Sequence, residues 1–560
     1  MTTISSPLAT AIGSAGIAGG GPASDAKAPS MLALAQAAQP PVLDDPLYQY
    51  QWHLKNTGER VLGDTLPTAG IDLNIGTLHE QGITGKGVVV ALVESGRIDV
   101  VHEDLAANLF ARDPVAPVYM SSHATQMAGI IAAVAGNGRG GRGVAPGATI
   151  VDLLSPDAGQ APPPRLYNES RGIGLPSFKP YSGPGERNGD VEPRGGAALI
   201  KSAGNGFLAR HHIDLDEDKC RDATRGTGIG CINAATDRKH AEAQVITVGA
   251  LNALGKKASY STTGSVLWVS GLGGEQGYEN AMTGLAYDTR MFSPAIVTTD
   301  ASGLSFGTNR DLSDMEPRNR LDRGGESEID PTGNYTAQAN GTSAAAATVT
   351  GVAALMLQAN PALTWRDIKY ILATTARKVD PEQGKIDFDG LRLDDGWVTN
   401  AAGHAFSNWY GFGLVDATAA VEAARRHTLL GPLRDSGWLE TWALDTPVAL
   451  ASTPDPVGAP IVFHNDVAIE TVQLRLRTTH KIPYGLQIQL TSPSGTKSIV
   501  LPALTYLKDL DGESFSIDLT ASNAFLDESA RGAWTLQVID IMNRLPRSEV
   551  TSWELRVLGH

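Results

Sequence analysis

A serine precedes a predicted buried helix, in a position that suits a nucleophile. Ser343 lies in the stretch GTSAAAA, and the long apolar run TVTGVAALMLQANP follows it. The start of a helix offers unpaired backbone N–H groups and a partial positive charge, and both stabilise an oxyanion that forms beside the serine. A serine before a helix is also typical of an N-cap. The stretch therefore predicts either a nucleophile or a cap, and other polar residues of the chain distinguish the two.

Three further polar residues precede Ser343, each where a strand ends or a helix begins. Glu94 ends the apolar stretch GVVVALVE, His123 opens the helical stretch SHATQMAGIIAAVAG, and Asn205 follows GAALIK within SAGNG. In a parallel sheet, strand ends and helix starts converge at one edge. The order acid, histidine, amide, serine therefore favours one shared catalytic site over four unrelated structural roles.

In this order of residues the chain resembles the subtilisin-like serine proteases. Three stretches are more specifically similar to the kexin and furin branch and its bacterial relatives, namely DDPLYQYQWHLKNTG at 44–58, LTWRDIKYILATTARKVD at 363–380 and NWYGFGLVDATAAVEAA at 408–424. The resemblance extends from residue 44 to the C-terminus. It implies an α/β fold, with a subtilisin-like parallel sheet flanked by helices, followed by a second domain.

The resemblance also implies a role for each of the four residues. Ser343 is expected to attack the peptide carbonyl, His123 to take up and return the proton, and Glu94 to orient the imidazole. The amide of Asn205 and the backbone N–H of Ser343 are expected to form the oxyanion hole. The implied function is a serine endopeptidase that acts on a protein or peptide substrate through an acyl-enzyme. The alternative is a catalytically impaired relative that binds peptides or a partner without cleavage.

The chain departs from the family pattern at the acid, which is aspartate in the family and Glu94 here. The stretch ESGRIDVVHEDL is one residue longer than the usual strand exit. The extra methylene moves the carboxylate by about 1 Å, and misplacement on that scale costs about 100-fold in rate. We therefore expect either compensation by the longer stretch or low activity, with Asp99 as a less favoured substitute. Ala124 also stands where the family has glycine, and Ala347 where it usually has proline.

The stretch YNESRGIG supplies the candidate substrate-binding residues Ser170, Arg171 and Gly172. It is similar to the segment that pairs with the substrate backbone and borders the primary specificity pocket in the family. The acidic residues that follow in the furin branch are missing here, so we do not expect cleavage confined to paired basic residues. The family usually has leucine or tryptophan where Arg171 stands, and an exposed loop arginine is an equal alternative. Residues 155–165 are too few for the helix that the family places before this segment.

Oxygen-rich positions that match the family's motifs predict a calcium site. Calcium prefers carboxylate and carbonyl oxygens. The stretches DDPL, HEDL and VAGNGRGG supply both. The predicted ligands are the side chains of Asp45, Asp104 and Asn137 and the carbonyl groups of Val134, Arg139 and Gly141. Ca2+ is therefore the expected metal, with an ordinary glycine-rich turn beside unrelated acids as the alternative.

Alternating apolar and polar residues dominate the chain after about residue 431. Period-two segments separated by turn residues are typical of an antiparallel β-sandwich. The segments are ETVQLRLRTTH, GLQIQLTSPSG, TKSIVLPAL, SFSIDLTAS, GAWTLQVID and SWELRVLGH. LTSPSGTKS and GAWTLQVID resemble the family's jelly-roll P domain. We therefore expect a subtilisin-like peptidase domain at residues 43–430 and a P domain at residues 431–560 that supports it, with separate carbohydrate or protein binding as the alternative role.

Length, composition and charge agree with a large enzyme. The 560 residues favour more than one domain, and 42% hydrophobic residues suffice for large cores. The net charge of −15 argues against nucleic acid as a partner. No run approaches the roughly 20 apolar residues of a membrane span. Cys220 and Cys231 lie close together in the sequence and allow a disulfide, with two free thiols as the alternative.

The first 42 residues predict a disordered segment, because they are rich in Gly, Ala, Ser and Pro. They lack the basic start and apolar centre of an evident signal peptide, although the resemblance implies a secreted or periplasmic protein. So short a segment of this composition cannot form the folded inhibitory prodomain usual in the family. We therefore expect that a propeptide is removed or absent, or that a separate chaperone or inhibitory chain replaces it.

Overall fold

The computed structural model describes residues 45–110, 120–172, 196–207, 224, 226–280, 289–311, 318–450, 455–507, 514–541 and 548–560. The segment predicted to be disordered, residues 1–42, lies outside these ranges, and so does Cys220. Cys231 is disulfide-bonded. Residues 43–560 belong to one compact unit. The predicted domain boundary at residue 430 stays a prediction.

A six-stranded parallel sheet forms the centre of the N-terminal part. Its strand order is β2-β1-β3-β4-β5-β6. The strands are β1 Val89–Val93, β2 Thr149–Asp152, β3 Leu166–Glu169, β4 Ala198–Ser202, β5 Val245–Leu251 and β6 Val269–Leu272. Every residue of β3 to β6 is buried, as is typical of parallel strands covered on both faces. The predicted parallel sheet is confirmed, and the carboxyl ends of its strands share one edge.

Helices and short strand pairs surround this sheet. In the described ranges the α-helices are α1 Ser122–Ala132, α2 Gly341–Ala359, α3 Trp365–Thr375 and α4 Ala417–Arg426. Short 3-10 helices cover Tyr48–Tyr50, Ala106–Asn108, Ala158–Gln160, Ala234–Thr236, Arg238–Ala241, Thr289–Phe292, Gly324–Glu326 and Pro483–Gly485. Three antiparallel pairs join β7 Ile296–Thr299 to β8 Tyr335–Ala339, β9 Ile386–Phe388 to β10 Leu391–Asp394, and β11 Val398–Thr399 to β12 Ala405–Phe406. Between residues 155 and 165 there is only one 3-10 turn, as the sequence predicts.

Helix α2 is the central helix of the core. Of the described helices it is the one that is long and apolar enough to cross a membrane, yet 89% of its apolar window is buried inside the protein. A helix that is apolar on all sides and covered by protein is a core helix. Its residues pack with those of α1, α3, α4 and the sheet in one large hydrophobic cluster. The run after Ser343 is therefore the buried helix that the sequence predicts.

Two sheets of mostly antiparallel strands form the C-terminal part. One has the order β13-β22-β17-β20 with β14 paired to β22, and the other has the order β15-β21-β18-β19 with β16 paired to β21. The strands are β13 Arg434–Asp435, β14 Leu439–Pro447, β15 Ala449–Leu450, β16 Ile461–Phe463, β17 Ile469–Thr478, β18 Leu486–Thr491, β19 Lys497–Leu501, β20 Ser516–Ser522, β21 Gly532–Asp540 and β22 Glu549–Gly559. Their inward-facing side chains share a second hydrophobic cluster. Each of the six predicted period-two segments contains a strand.

Polar contacts hold the sandwich against the parallel-sheet part. Arg366 at the start of α3 donates to both carboxylate oxygens of Glu470 on β17, and its Nε lies 2.9 Å from Oε2. Ser265, in the loop before β6, donates to Ala521 O at 2.7 Å. Asn523 Nδ2 donates to Val266 O in the same loop at 2.8 Å. The sandwich therefore contacts the segment that leads into the central sheet.

Candidate active site

Glu94 and His123 form a directly bonded acid–imidazole pair. His123 Nδ1 donates to Glu94 Oε2 at 2.8 Å, since a carboxylate can only accept. Neutral His123 therefore has Nε2 free of its proton and able to accept one. Partial burial alone would lower the pKa of His123, but the hydrogen bond and the charge of Glu94 outweigh it and raise that pKa. The pair has the arrangement of a general base with its orienting acid.

The start of α1 is fixed so that His123 faces the end of β1. Ser121 is the N-cap, and its hydroxyl accepts a hydrogen bond from Ala124 N at 3.1 Å. A β-carbon at Gly96 would lie 2.6 Å from Ser121 Cβ, so the turn after Glu94 packs tightly on this cap. Ser122 Oγ donates to the buried carboxylate of Asp300. These contacts bring a helix start and a strand end together.

Glu94 contacts His123 despite its extra methylene, since the hydrogen bond between them is 2.8 Å long. Asp99, the less favoured substitute, is fully buried and accepts from Ser302 N at 3.0 Å, and it has no hydrogen bond to His123 in the described part of the chain. Ala124 is fully buried in the hydrophobic core. Neither departure removes the contact between acid and base.

Ser343 is the third residue of α2, and its side chain is held by a neighbouring strand end. The N-cap of α2 is Asn340, so the interpretation of Ser343 as a cap is wrong. Ser343 Oγ donates to Ser170 O at 2.9 Å, and Ser170 Oγ donates to Ser343 O at 3.2 Å. No hydrogen bond joins Ser343 to His123 within the described ranges. The hydroxyl therefore lies at a helix N-terminus and needs a change of partner before it contacts the base.

Asn205 lies directly against the residues that precede Ser343. Its Oδ1 accepts from Thr342 N and from Thr342 Oγ1, both at 2.9 Å. Gly204 N donates to the same threonine hydroxyl at 3.0 Å. With Oδ1 occupied, Nδ2 remains as a donor, and it makes no hydrogen bond to the described residues. A β-carbon at Gly341, where φ is +97°, would lie 3.1 Å from this Nδ2.

Strand register explains why the predicted residues meet. β1 and β3 are parallel neighbours with Val93 opposite Glu169, so Glu94 and Ser170 are the next residues on adjacent strands. Neighbouring strands lie about 4.8 Å apart. Glu94 holds His123, and Ser170 holds Ser343, at this one edge of the sheet. The structure therefore places His123 and Ser343 beside the ends of two adjacent strands.

Arg171 is anchored to a buried charge cluster, so its interpretation as an exposed loop arginine is wrong. Its side chain is 13% exposed, and its guanidinium lies 3.5 Å from Glu169 Oε1. Lys201 Nζ lies 3.0 Å from the same oxygen and donates to Arg171 O at 2.9 Å. A β-carbon at Gly172 would lie 4.0 Å from Gly204 Cα, which places Gly172 across from the Asn205 loop. Of these three residues, Ser170 contacts Ser343 directly, and Arg171 and Gly172 continue the same segment.

The predicted calcium ligands cluster around two buried carboxylates. Asp45 accepts from Gly136 N at 2.8 Å and from Asn137 N at 3.2 Å. The side-chain amide of Asn137 lies 2.7 Å from Asp104 Oδ1. Asp104 Oδ2 is buried and accepts no hydrogen bond from the described residues. Burial raises the pKa of Asp104 to about 8, which indicates that a negative charge there lacks compensation.

The rest of the glycine-rich loop closes around Asp104. Val134 N donates to Asp104 O at 2.9 Å, and Arg139 N donates to Asn137 Oδ1 at 2.9 Å. A β-carbon at Gly140 would lie 2.4 Å from Asp104 Oδ2, and one at Gly141 would lie 2.6 Å from the amide of Gln51. In the described ranges no group of three or more His, Cys, Asp or Glu side chains is placed to hold a metal. An ion here would therefore depend on two carboxylates, one amide and main-chain carbonyls.

Three residues at these sites were not predicted from the sequence. Thr342 orients the Asn205 amide, and its position beside the serine was the available signal. Asp300 follows the buried strand β7, the same strand-end signal that identifies Glu94. Arg142 lies 2.6 Å from Asp45 Oδ2, and nothing in its sequence context indicates this ion pair.

The chain is similar to known proteins in both of its parts. The model of the subtilase family matches residues 85–413, and that of the proprotein convertase P-domain matches residues 469–557. The Aeromonas extracellular serine protease of Aeromonas sobria is 32% identical, and the match covers 92% of this chain and 91% of that protein. Furin-1 of Xenopus laevis is 27% identical over 92% of this chain and 58% of its own length.

Two crystal structures of Aeromonas sobria serine protease match the whole arrangement. The first has a TM-score of 0.77 at 29% identity and covers 94% of this chain and 97% of that chain. The second, a complex with the chaperone ORF2, has a TM-score of 0.76 at 29% identity and covers 92% of this chain and 95% of that chain. The similarity therefore includes both the parallel-sheet part and the sandwich.

Proposed function

The chain is a serine protease of the subtilase family with a proprotein convertase P domain, and we propose that it is a calcium-stabilised endopeptidase with Glu94, His123 and Ser343 as its triad. The observation that carries the proposal is the 2.8 Å hydrogen bond between Glu94 Oε2 and His123 Nδ1. Through it the glutamate contacts the base despite its departure from the family pattern. Ser343, at the start of α2, bonds to Ser170 at the end of the adjacent strand, and in the proposed mechanism its hydroxyl turns from there toward the same imidazole.

The proposed reaction passes through an acyl-enzyme. Ser343 Oγ attacks the carbonyl carbon of the scissile bond while its proton passes to His123 Nε2. The C–N bond then breaks, and His123 returns this proton to the leaving amine. Water attacks the remaining ester with His123 again as the base, which releases the carboxylic acid product and restores the serine. Glu94 holds the imidazole and stabilises its cationic form.

Asn205 Nδ2 and the backbone N–H of Ser343 are the proposed oxyanion donors. Asn205 Oδ1 is occupied by two hydrogen bonds from Thr342, which support the orientation of Nδ2 as a free donor. The donors come from a loop after β4 and from the start of α2. Loss of the corresponding asparagine donor in subtilisin costs about 100- to 1,000-fold in turnover, and we expect a similar effect here.

Ser170 is the proposed acceptor for the substrate backbone. Its carbonyl accepts a hydrogen bond from the hydroxyl of Ser343 at 2.9 Å. A substrate N–H that donates to this carbonyl would displace the hydroxyl, and the hydroxyl would then turn toward His123. Binding of the correct backbone would thus assemble the nucleophile and its base. Arg171 and Gly172 continue the same segment and are the proposed neighbours of the specificity pocket.

Calcium is the proposed metal, with Asp45, Asp104 and Asn137 as side-chain ligands. The carbonyl groups of Val134, Arg139 and Gly141 would complete the set. Two observations support the fit. Asp104 Oδ2 is buried and accepts no hydrogen bond from the described residues. Gly140 packs so closely on this oxygen that a side chain at position 140 would have no space. A bound ion would supply the positive charge that Asp104 lacks. Asp45 already has Arg142, so the ion would depend chiefly on Asp104.

Thermal unfolding with and without calcium tests the metal assignment. In wild type, a chelator is expected to lower the unfolding temperature, and added calcium to restore it. Asp104→Asn should lose this response, whereas Asp455→Asn, a change of an exposed residue of the C-terminal part, should keep it. If chelation leaves wild type unchanged, or if Asp104→Asn responds as wild type does, the assignment is wrong.

The relatives of the chain suggest where the protein acts and which partners it has. The Aeromonas sobria relative is named an extracellular protease, and one solved relative is in complex with a chaperone. We propose a secreted or periplasmic protein that acts on a protein or peptide substrate and folds with a separate chaperone or inhibitory propeptide. Active yield after expression with and without a chaperone from the same source tests the last point, and equal yields would contradict it.

Cleavage of a mixed peptide library by wild type and Ser343→Ala tests the proposed function. Wild type is expected to cleave, with cuts that are not confined to paired basic residues. Ser343→Ala should leave the peptides intact while it unfolds at the same temperature. A folded wild type that binds peptides with calcium present and cleaves none would instead support the peptide-binding alternative.

A further inference from the structure

We infer that Tyr260 is a positioning residue for the oxyanion hole, an inference that rests on the function proposed above. Its hydroxyl accepts a hydrogen bond from Gly341 N at 2.8 Å and donates to Gly274 O at 2.7 Å. Gly341 is the first residue of α2 and lies two residues before Ser343. Tyr260 therefore holds the start of the helix that carries the nucleophile. We call residues 341–343 the serine turn and residues 260–262 the brace.

The brace also holds the loop that carries Asn205, residues 204–207, here called the oxyanion loop. Thr262 N donates to Gly204 O at 3.0 Å, and Gly206 N donates to Thr262 Oγ1 at 2.9 Å. Phe207 N donates to Tyr260 O at 3.1 Å. Three hydrogen bonds thus join the brace to residues on both sides of Asn205.

The Tyr260 hydroxyl has little freedom to move. The residue is 6% exposed, and burial raises its pKa well above the usual range of tyrosine, so the hydroxyl stays protonated. A β-carbon at Gly273 would lie 3.0 Å from the hydroxyl oxygen and 2.5 Å from Gly341 O. The hydroxyl is therefore enclosed between two glycine-containing segments, and its hydrogen bonds to Gly341 N and to the carbonyl groups of Gly273 and Gly274 fix their separation.

The oxyanion loop and the serine turn are consequently joined in two ways. Thr342 bonds directly to the amide of Asn205, which fixes how that amide is rotated. The brace forms the second connection. In the described part of the chain, the hydrogen bond from Gly341 N to the Tyr260 hydroxyl is the one that joins the brace to the serine turn. The two proposed donors, Asn205 Nδ2 and Ser343 N, lie on different segments. Their separation therefore depends on Tyr260, which is buried and is not itself one of the donors.

Tyr260→Phe tests this role, because it keeps the ring and removes only the hydroxyl. Since misplacement by about 1 Å costs about 100-fold in rate, we expect kcat to fall by about tenfold to 100-fold. KM should change by less than about twofold, since ground-state binding does not use the oxyanion donors. The affinity for a peptide boronic acid, which forms a tetrahedral adduct on the serine, should fall by the same factor as kcat. Tyr370→Phe, which removes a hydroxyl bonded to Asp527 at the sandwich, is the control and should leave kcat unchanged.

The same change in an Asn205→Ala background separates positioning from a general loss of structure. If Tyr260 acts through the donor pair, Tyr260→Phe should lower kcat by less than about threefold once Asn205 is absent, because the two effects are not additive. Equal losses in both backgrounds, or no loss in wild type, would overturn the inference. If Tyr260→Phe does not fold, Thr262→Val provides the same comparison by removing the acceptor of Gly206 N. Absence of any turnover and of serine labelling in wild type would instead refute the proposed function itself.

Discussion

Ser343 Oγ donates its hydrogen bond to Ser170 O at 2.9 Å and, within the described ranges, makes none to His123. Ser343 and His123, the proposed nucleophile and base, thus lie at two helix starts beside adjacent strand ends, and no hydrogen bond joins them in the described ranges. The carbonyl that holds the serine belongs to the segment that is similar to the family's substrate-binding strand. If the segment binds substrate as proposed, a substrate N–H and the Ser343 hydroxyl would compete for one acceptor.

This competition predicts that the substrate backbone contributes to turnover as well as to binding. N-methylation of the amide that would donate to Ser170 O should lower kcat by about tenfold or more, because the serine then keeps its partner and does not reach His123. The measurement is steady-state kinetics on a matched pair of peptides. A control peptide methylated at a distant amide should change KM at most. An increase in KM alone for the first peptide would contradict the proposed displacement.

Glu94→Asp is expected to lower activity even though aspartate is the residue of the family. The chain around Glu94 is built so that the longer side chain reaches His123 Nδ1 at 2.8 Å. Shortening it withdraws the carboxylate by about 1 Å and should cost about 100-fold in kcat/KM. Asp99→Asn is the matched control, because that carboxylate binds Ser302 N and not His123. A faster Glu94→Asp variant would show that the glutamate is the weak member of the triad.

The pH dependence of kcat/KM should report on the same pair. Partial burial lowers the pKa of His123, but the hydrogen bond and the charge of Glu94 outweigh burial, so this pKa is raised above its usual value. His123 has to be neutral to accept the serine proton, so activity should decrease as the pH falls through the raised pKa. Glu94→Gln removes the charge and should move this acid limb to lower pH while it lowers the plateau. An acid limb that stays in place would contradict the assignment of Glu94.

Buried neutral imidazoles should make the protein sensitive to acid. His53 is fully buried, neither ring nitrogen has a partner among the described residues, and burial lowers its pKa to about 3. The unfolded chain binds a proton below about pH 6.5 that the folded chain does not, so stability is full above that pH and falls below it. The loss from this residue is about 2 kcal/mol at about pH 5. His53→Leu should therefore reduce the drop in unfolding temperature between pH 7 and about pH 5.

The exposed His464 provides the control for this prediction. His464→Leu should leave the pH dependence of the unfolding temperature as it is in wild type. An identical drop in wild type and His53→Leu would show that His53 does not contribute.

The elements that carry the site could be predicted because local patterns specify them. The apolar run after Ser343 predicts a buried helix, the stretch before Glu94 predicts a strand, and period-two segments predict the sandwich. Parallel pairing then brings strand ends to one edge, where Glu94 bonds to His123 and Ser170 bonds to Ser343, whereas no hydrogen bond joins His123 to Ser343 in the described ranges. The sequence does not predict whether the Glu94 carboxylate reaches His123, because the effect of one extra methylene depends on the path of the backbone after the strand.

The contacts that set donor geometry could not be predicted, because they join segments far apart in the chain. Tyr260 bonds to Gly341, and Arg142 bonds to Asp45, without any pattern of spacing that would indicate either pair. The sequence around Arg171 is equally compatible with an exposed loop. The burial of Arg171 depends on the charge cluster that Glu169 forms with Lys201, which lies on another strand. Sequence patterns thus predicted which residues meet at the sheet edge but not what fixes their separation.

Site-resolved labelling of the folded protein with a fluorophosphonate, followed by peptide mass spectrometry, measures most directly whether the triad is functional. We expect stoichiometric modification of Ser343 in wild type with calcium present, slower modification in Glu94→Gln, and none in His123→Ala or Ser343→Ala. Modification of another serine, or an unlabelled Ser343 in folded wild type, would contradict the proposal that Glu94, His123 and Ser343 form one catalytic unit.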